Sequence, residues 1–232
     1  MRLRLLTLVL VATPLLAVPS PAQAANECAG FPVCVPVAGP WVLLPAGSGA
    51  RRPIVEYQLT CPRGYVVGGL DAELSHRAID VTFLGRLGSP VNPGVSTSRS
   101  VVFTASYVGT TARAPSFRPL AGCVPAGGSG RVPTAARAFP PGQPTIRRVR
   151  TVRVRPGTAQ VTQACRRGER LVHGSHAFGF AQRNPPSESL AGTVSGSRAV
   201  RGDRVVVTAR GDAELGGVKA VLQVHAVCAR AR

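Results

Sequence analysis

The chain has 232 residues, with 28 Lys and Arg against 10 Asp and Glu and a formal net charge of +18. Only 16% of residues are charged and 5% aromatic, while Gly (26) and Pro (21) are frequent, which suits short strands and turns better than long helices. A surface so positive attracts polyanions and repels cationic ligands, and the length admits one large or two small domains.

Residues 1–24 read as an export signal. Arg2 and Arg4 precede an apolar run from Leu5 to Val18, and Ala22-Gln23-Ala24 supplies the small-x-small pattern of a cleavage site, so cleavage is expected after Ala24. The run contains Pro14 and falls short of the roughly 20 apolar residues that a membrane span requires. Asn26-Glu27 precede Cys28, where a lipoprotein would carry small residues. No second long apolar run follows, so the expected product is a secreted chain, residues 25–232, without a transmembrane segment. Its charge is uneven. Residues 25–139 hold 10 basic and 5 acidic side chains, and residues 140–232 hold 16 and 5. Lys219 is the only lysine.

Six cysteines follow the signal, at 28, 34, 61, 123, 165 and 228. An even number in an oxidising compartment predicts three disulfides. Cys61 and Cys123 are 62 apart, and Cys165 and Cys228 are 63 apart. Cys61-Pro62-Arg63-Gly64 parallels Cys165-Arg166-Arg167-Gly168, and Tyr65–Gly69 matches Arg170–Gly174 with a one-residue offset. Val101–Ala105 and Val205–Ala209 begin at the same distance from their cysteines. A duplication explains these matches together. It pairs Cys61 with Cys123 and Cys165 with Cys228, leaving Cys28 with Cys34. Each large loop closure stabilises by roughly 4 kcal/mol in the chain-entropy model.

The predicted order is an N-terminal arm with a small disulfide loop (25–40), a first β repeat (41–126), a Pro/Gly-rich linker (127–145) and a second, more basic β repeat (146–232). Ile54–Cys61 alternates, with Val55, Tyr57, Leu59 and Cys61 on one face and Glu56, Gln58 and Thr60 on the other. Further strands are expected near 65–75, 79–85 and 101–108. Residues 147–155 form a basic strand in which a bulge near Thr151 would turn Arg148, Arg150, Arg153 and Arg155 all outward. Strands near 170–181 and 204–210 follow. In Val218–Cys228 the even positions from Ala220 to Cys228 make the buried face, opposite Lys219, Gln223 and His225. No segment has the pattern of a long amphipathic helix. The fold class is all-β, two tandem antiparallel β-sandwich-like domains, each closed by a disulfide.

The run Cys61-Pro62-Arg63-Gly64-Tyr65-Val66-Val67-Gly68-Gly69 resembles repeats in uncharacterised secreted proteins of high-GC bacteria. The second copy lacks the proline and the double glycine. The resemblance implies repeated β-domains and brings no activity, cofactor or site residue.

No G-x-S-x-G or H-E-x-x-H motif occurs, and no catalytic, metal-binding or cofactor-binding residue is assigned. His173-Gly174-Ser175-His176 is the most site-like stretch. A hydrolase would need a noncontiguous site there, with Asp203 or Asp212 brought close by the fold. Asp71 and Glu73 share a strand face near His76, which suits either a cation or a solvated surface. Arg-Gly-Asp at 201–203 and 210–212 is explained by turn formation. Exposed Trp41 or Tyr107 would mark a carbohydrate- or protein-binding module. The leading expectation is a non-enzymatic envelope or matrix protein that contacts anionic polymers through Arg148, Arg150, Arg153, Arg155, Arg166, Arg167 and Arg170, with Arg198, Arg201 and Arg204 nearby. Wall polymers, acidic glycans and anionic lipid surfaces fit an exported protein better than nucleic acid, because aromatics for base stacking are scarce.

Overall fold

Apolar residues at alternate positions, punctuated by Gly and Pro, build an all-β architecture of antiparallel sheets. The computed structural model describes residues 26–45, 52–84, 99–110, 114–126 and 145–230. The expected export signal and nearly all of the expected linker lie outside these residues. In the first half the strands are β1 (Val35–Ala38), β2 (Trp41–Leu43), β3 (Val55–Thr60), β4 (Tyr65–Leu74), β5 (Ile79–Leu84), β6 (Ser100–Tyr107) and β7 (Ser116–Pro125). In the second they are β8 (Thr145–Arg153), β9 (Gly157–Ala164), β10 (Glu169–Phe180), β11 (Val194–Arg201), β12 (Arg204–Gly211) and β13 (Ala220–Arg230). A single short α-helix among the described residues, Glu188–Gly192, is capped by the Ser187 hydroxyl.

Both halves use one pairing scheme. The first has the sheet β3-β6-β5 and the pair β4-β7, and the second has β9-β12-β11 and β10-β13. Their ladders match residue by residue. Val67 faces Cys123 and Leu171 faces Cys228, and each pairing is followed at once by a bulge. The expected one-residue offset between the openings is therefore absent, and Tyr65 corresponds to Glu169 rather than Arg170. The near-equal cysteine spacing hides two opposed length changes. Residues 181–193, with the helix, replace the short connection 75–78, while the two-residue turn 202–203 replaces the long connection 85–99.

The three disulfides are Cys28–Cys34, Cys61–Cys123 and Cys165–Cys228. Each large bridge ties the end of a small sheet to the sheet beneath it. The Cys-x-x-Gly opening is a turn, closed by Tyr65 N–H on the Pro62 carbonyl and by Glu169 N–H on the Arg166 carbonyl. Gly64 and Gly168 sit at φ +83° and +80°, a conformation that side-chain-bearing residues avoid.

The two halves are not separate sandwiches. One seven-stranded sheet runs through both, because β2 pairs with β7 on one edge and with β10 on the other. Successive residues of a strand point to opposite faces. Val42 therefore joins the core under β3-β6-β5, with Phe117 and Tyr57, while Leu43 packs against the core under β9-β12-β11, with Phe180 and Leu222. The small sheets cover opposite faces of the shared sheet. β1, expected within a detached arm, is a strand of that sheet, register-matched to Leu120–Cys123.

This staggered layout leaves one face of β4-β7 to be covered by the Cys28–Cys34 loop. A methyl group on Gly69 or Gly122 would collide with the Glu27 carbonyl, so the chain lies directly on bare backbone. Asn26 N–H also donates to Asp71 Oδ2 at 2.9 Å. The corresponding positions of the second half, His173 and Val227, carry side chains because β3 of the first half lies over that face instead. No helix among the described residues is long and apolar enough to cross a membrane.

Gly122→Ala is expected to lower stability by about 1–3 kcal/mol, the usual cost of overpacking, whereas an alanine at the corresponding Val227 costs no such clash. Urea unfolding of the two variants checks this, with the Gly122 variant alone expected to release the N-terminal loop to limited proteolysis.

Candidate functional site

Two groups of polar residues stand out, one buried between the halves and one exposed at an end of the second half. The buried group begins with β3, whose outward residues were expected to face solvent. Glu56 is instead buried, because β3 lies across the outer face of β10 and β13. There it receives a bidentate pair from Arg147 of β8, at 2.7 and 3.1 Å, and the Ser175 hydroxyl at 2.5 Å. His173 Nε2 lies 3.5 Å from the same carboxylate.

Arg147 also donates to His225 Nδ1 at 2.9 Å, so His225 carries its proton on Nε2 and donates it to Gln223 Oε1 at 2.7 Å. Gln223 then pairs with the Gln58 main chain in both directions, accepting N–H at 2.6 Å and donating to C=O at 3.1 Å. Its amide also reaches Thr151 Oγ1 at 3.1 Å. Burial raises the Glu56 pKa, but the hydrogen bonds from Arg147 and Ser175, with the charges of Arg147 and His173, outweigh it and bring the carboxyl down to about 2. Burial and the Arg147 charge push His225 down to about 3, against the opposing pull of Glu56. The network thus holds an ionised, mostly buried glutamate and a neutral, fully buried histidine.

This geometry does not assemble the hydrolase constellation. His173 and Ser175 share a face and His176 points the other way, toward Phe178. Burial and Arg198 both lower the His176 pKa. The Ser175 proton goes to Glu56, a carboxylate too acidic to act as a general base near neutral pH. Asp203 is held by the Leu171 N–H at 3.2 Å and Asp212 lies 3.5 Å from Arg210, so neither serves a histidine here. The partner that sequence reasoning missed is Glu56, which lies more than a hundred residues away in the other half.

Other candidates resolve into structural contacts. Asp71 accepts from Asn26, Glu73 pairs with Arg118 at 3.3 Å, and His76 bonds the Ser75 hydroxyl at 2.8 Å. Trp41 and Tyr107 are buried, and the Trp41 indole donates to the Arg183 carbonyl at 3.2 Å. Arg201-Gly202-Asp203 forms the β11–β12 turn, with its carboxylate tied inward. Cys165, Glu169 and Cys228 converge as a metal site would, but both sulfurs belong to one disulfide.

The expected arginines divide into separate groups. β8 pairs with β13 in unbroken register, so the bulge near Thr151 is absent. Arg148 and Arg150 consequently lie on the inner face of an edge strand, and their long stems carry the heads out to the rim. There Arg148 binds Glu169 bidentately, at 2.5 and 3.0 Å, and Arg150 donates to the Thr162 carbonyl at 3.3 Å. The Arg148 contact lowers the Glu169 pKa. Arg153 and Arg155 sit at the far end, beside a cavity of about 130 Å³ walled by Val152, Val154, Val161 and Leu222.

Arg166, Arg167 and Arg170 lie at the opposite end, about 25 Å away by strand rise. The ladders bring Arg201, Arg204 and Arg230 to them. Arg204 pairs with Ala164, just before Cys165, and Arg230 pairs with Glu169. All six are exposed, and none forms a salt bridge among the described residues. The nearby acids are already engaged, Glu169 by Arg148 and the Arg166 N–H, Asp203 by Leu171. Arg230 escaped the sequence reading because its cross-strand position was not visible there. No family model and no curated protein matches the chain.

The buried network sets an acid dependence. Both folded pKa values lie below their ordinary ones, so both groups favour the unfolded chain as protons are added. The His225 contribution declines from about pH 6.5 toward 3, and the Glu56 contribution from about 4.5 toward 2. Glu56→Gln is expected to cost about 1–3 kcal/mol at neutral pH, by leaving the part-buried Arg147 without a counter-charge, and to flatten the stability profile below pH 4.5. Urea titrations across this range check both effects.

Proposed function

We propose that this is an exported, duplicated, non-enzymatic binding protein of the cell envelope or extracellular matrix. It contacts anionic polymers through the arginine-rich end of its second half. The observation that carries the reading is the cluster Arg166, Arg167, Arg170, Arg201, Arg204 and Arg230, exposed together while Glu169 is held by Arg148 and the Arg166 N–H and Asp203 by the Leu171 N–H. Guanidinium forks pair with phosphate or carboxylate oxygens two at a time, and a rigid, disulfide-anchored platform loses little entropy in presenting them. Export is supported by the N-terminal signal pattern and by three disulfides, which persist in oxidising compartments. The corresponding turn of the first half, Pro62-Arg63-Gly64, carries one arginine where the second carries two, so the charge belongs to one copy rather than to the shared fold.

The expected result is saturable binding to polyphosphate at low salt that weakens steeply as salt rises. The triple change Arg166→Ser, Arg167→Ser and Arg201→Ser should reduce the slope of log affinity against log salt by roughly one per arginine. Arg153→Ser with Arg155→Ser, at the far end, should leave affinity nearly unchanged. Equal losses in both variants would mean that overall charge, not this cluster, attracts the polymer.

A further inference from the structure

The same end of the second half carries a feature that a soluble polymer does not require. Three large aliphatic side chains of this half are exposed among the described residues: Ile146 at 43%, Val172 at 56% and Val200 at 59%. Ile146 and Val172 lie beside the Cys165–Cys228 bridge, and Val200 lies at the same end of the half, on the far strand of the small sheet. Ile146 is register-paired with Cys228. Val172 is the residue expelled by the bulge between Leu171, which faces Cys228, and His173. Val200 adjoins the turn whose Arg204 pairs with Ala164. The far end of the same sandwich has arginines too, but there Arg210 is opposed by Asp212 and no large aliphatic side chain is exposed among the described residues.

We propose that this end docks on an anionic lipid surface, with the six arginines on head-group phosphates and Ile146, Val172 and Val200 entering the interfacial layer. The proposal rests on the polyanion reading above and deepens it by naming how the phosphate is presented. Charge complementarity selects an anionic partner, and the aliphatic residues among the arginines select a phosphate layer backed by hydrocarbon. Val172 suits this use because the bulge frees it from the alternation that buries its neighbours. Val200 suits it because β11 is an edge strand, so the side chain leans out beyond the sheet facing it.

The test uses the oxidised protein with vesicles of phosphatidylcholine, vesicles of phosphatidylcholine and phosphatidylglycerol, and soluble polyphosphate. The wild type should bind only the anionic vesicles, and should keep measurable vesicle binding at a salt concentration that abolishes polyphosphate binding. The triple variant Ile146→Thr, Val172→Thr, Val200→Thr keeps charge and β-propensity. It should lose about tenfold in vesicle affinity while its polyphosphate affinity and melting temperature stay unchanged. Polyphosphate binding without vesicle binding, or equal vesicle binding by the variant, overturns the lipid proposal and leaves the polyanion reading standing. Binding to neither overturns both.

Discussion

The ion pair between Glu56 and Arg147 joins a strand of the first half to a strand of the second, largely shielded from water. Burying two charges is costly unless their hydrogen-bonding capacity is filled. Here Ser175, His225, Gln223 and the Gln58 main chain surround the pair, and the bonds that cross between the halves, from Arg147 and Ser175 to Glu56 and between Gln223 and Gln58, need the two halves in one relative position. A hydrophobic junction would tolerate sliding, whereas this one holds a single register. The platform that presents the arginine cluster inherits that rigidity, since β10 and β13 form its floor and the network lies on their other face.

The two halves share a pairing scheme and differ around this junction. In the second half the outer face of the shared sheet receives β3, and in the first half the matching face receives the Cys28–Cys34 loop. Asp71 and Ser175 make the correspondence concrete. They occupy equivalent ladder positions, opposite Leu120 and His225, and one accepts from Asn26 while the other donates to Glu56. A sheet face that no other strand covers needs another cover over its apolar side chains. Gly69 and Gly122 admit the Cys28–Cys34 loop as that cover, and the second half, covered by β3 instead, has His173 and Val227 at the matching ladder positions.

Much of the fold was legible locally. Period-two alternation located β3, β4, β5, β6, β10, β12 and β13, β8 was legible as a basic strand but not in its facing, and cysteine spacing anticipated all three bridges. The strands that escaped have physical reasons. β7 contains Pro119 and Gly122, which argue against a central strand, yet the break between β1 and β2 falls opposite Arg118 and Pro119, where a ladder donor is missing. β9 and β11 are mostly polar and exposed, so little alternation marks them. Gln223 and His225 read as a solvated face because nothing near them in sequence announces that the other half covers it. The same non-locality hid Glu56. The arginine cluster was largely legible: Arg166, Arg167 and Arg170 fall within five residues and Arg201 and Arg204 were grouped with them, but Arg230 reaches them only through strand pairing.

The central claim is that the shared sheet and its buried ion pair make the two halves one cooperative unit. Scanning calorimetry of the oxidised protein at neutral pH tests this most directly. A single transition, with calorimetric and van't Hoff enthalpies in agreement, is the result the account predicts. Two separable transitions, one for each disulfide-closed half, would contradict it.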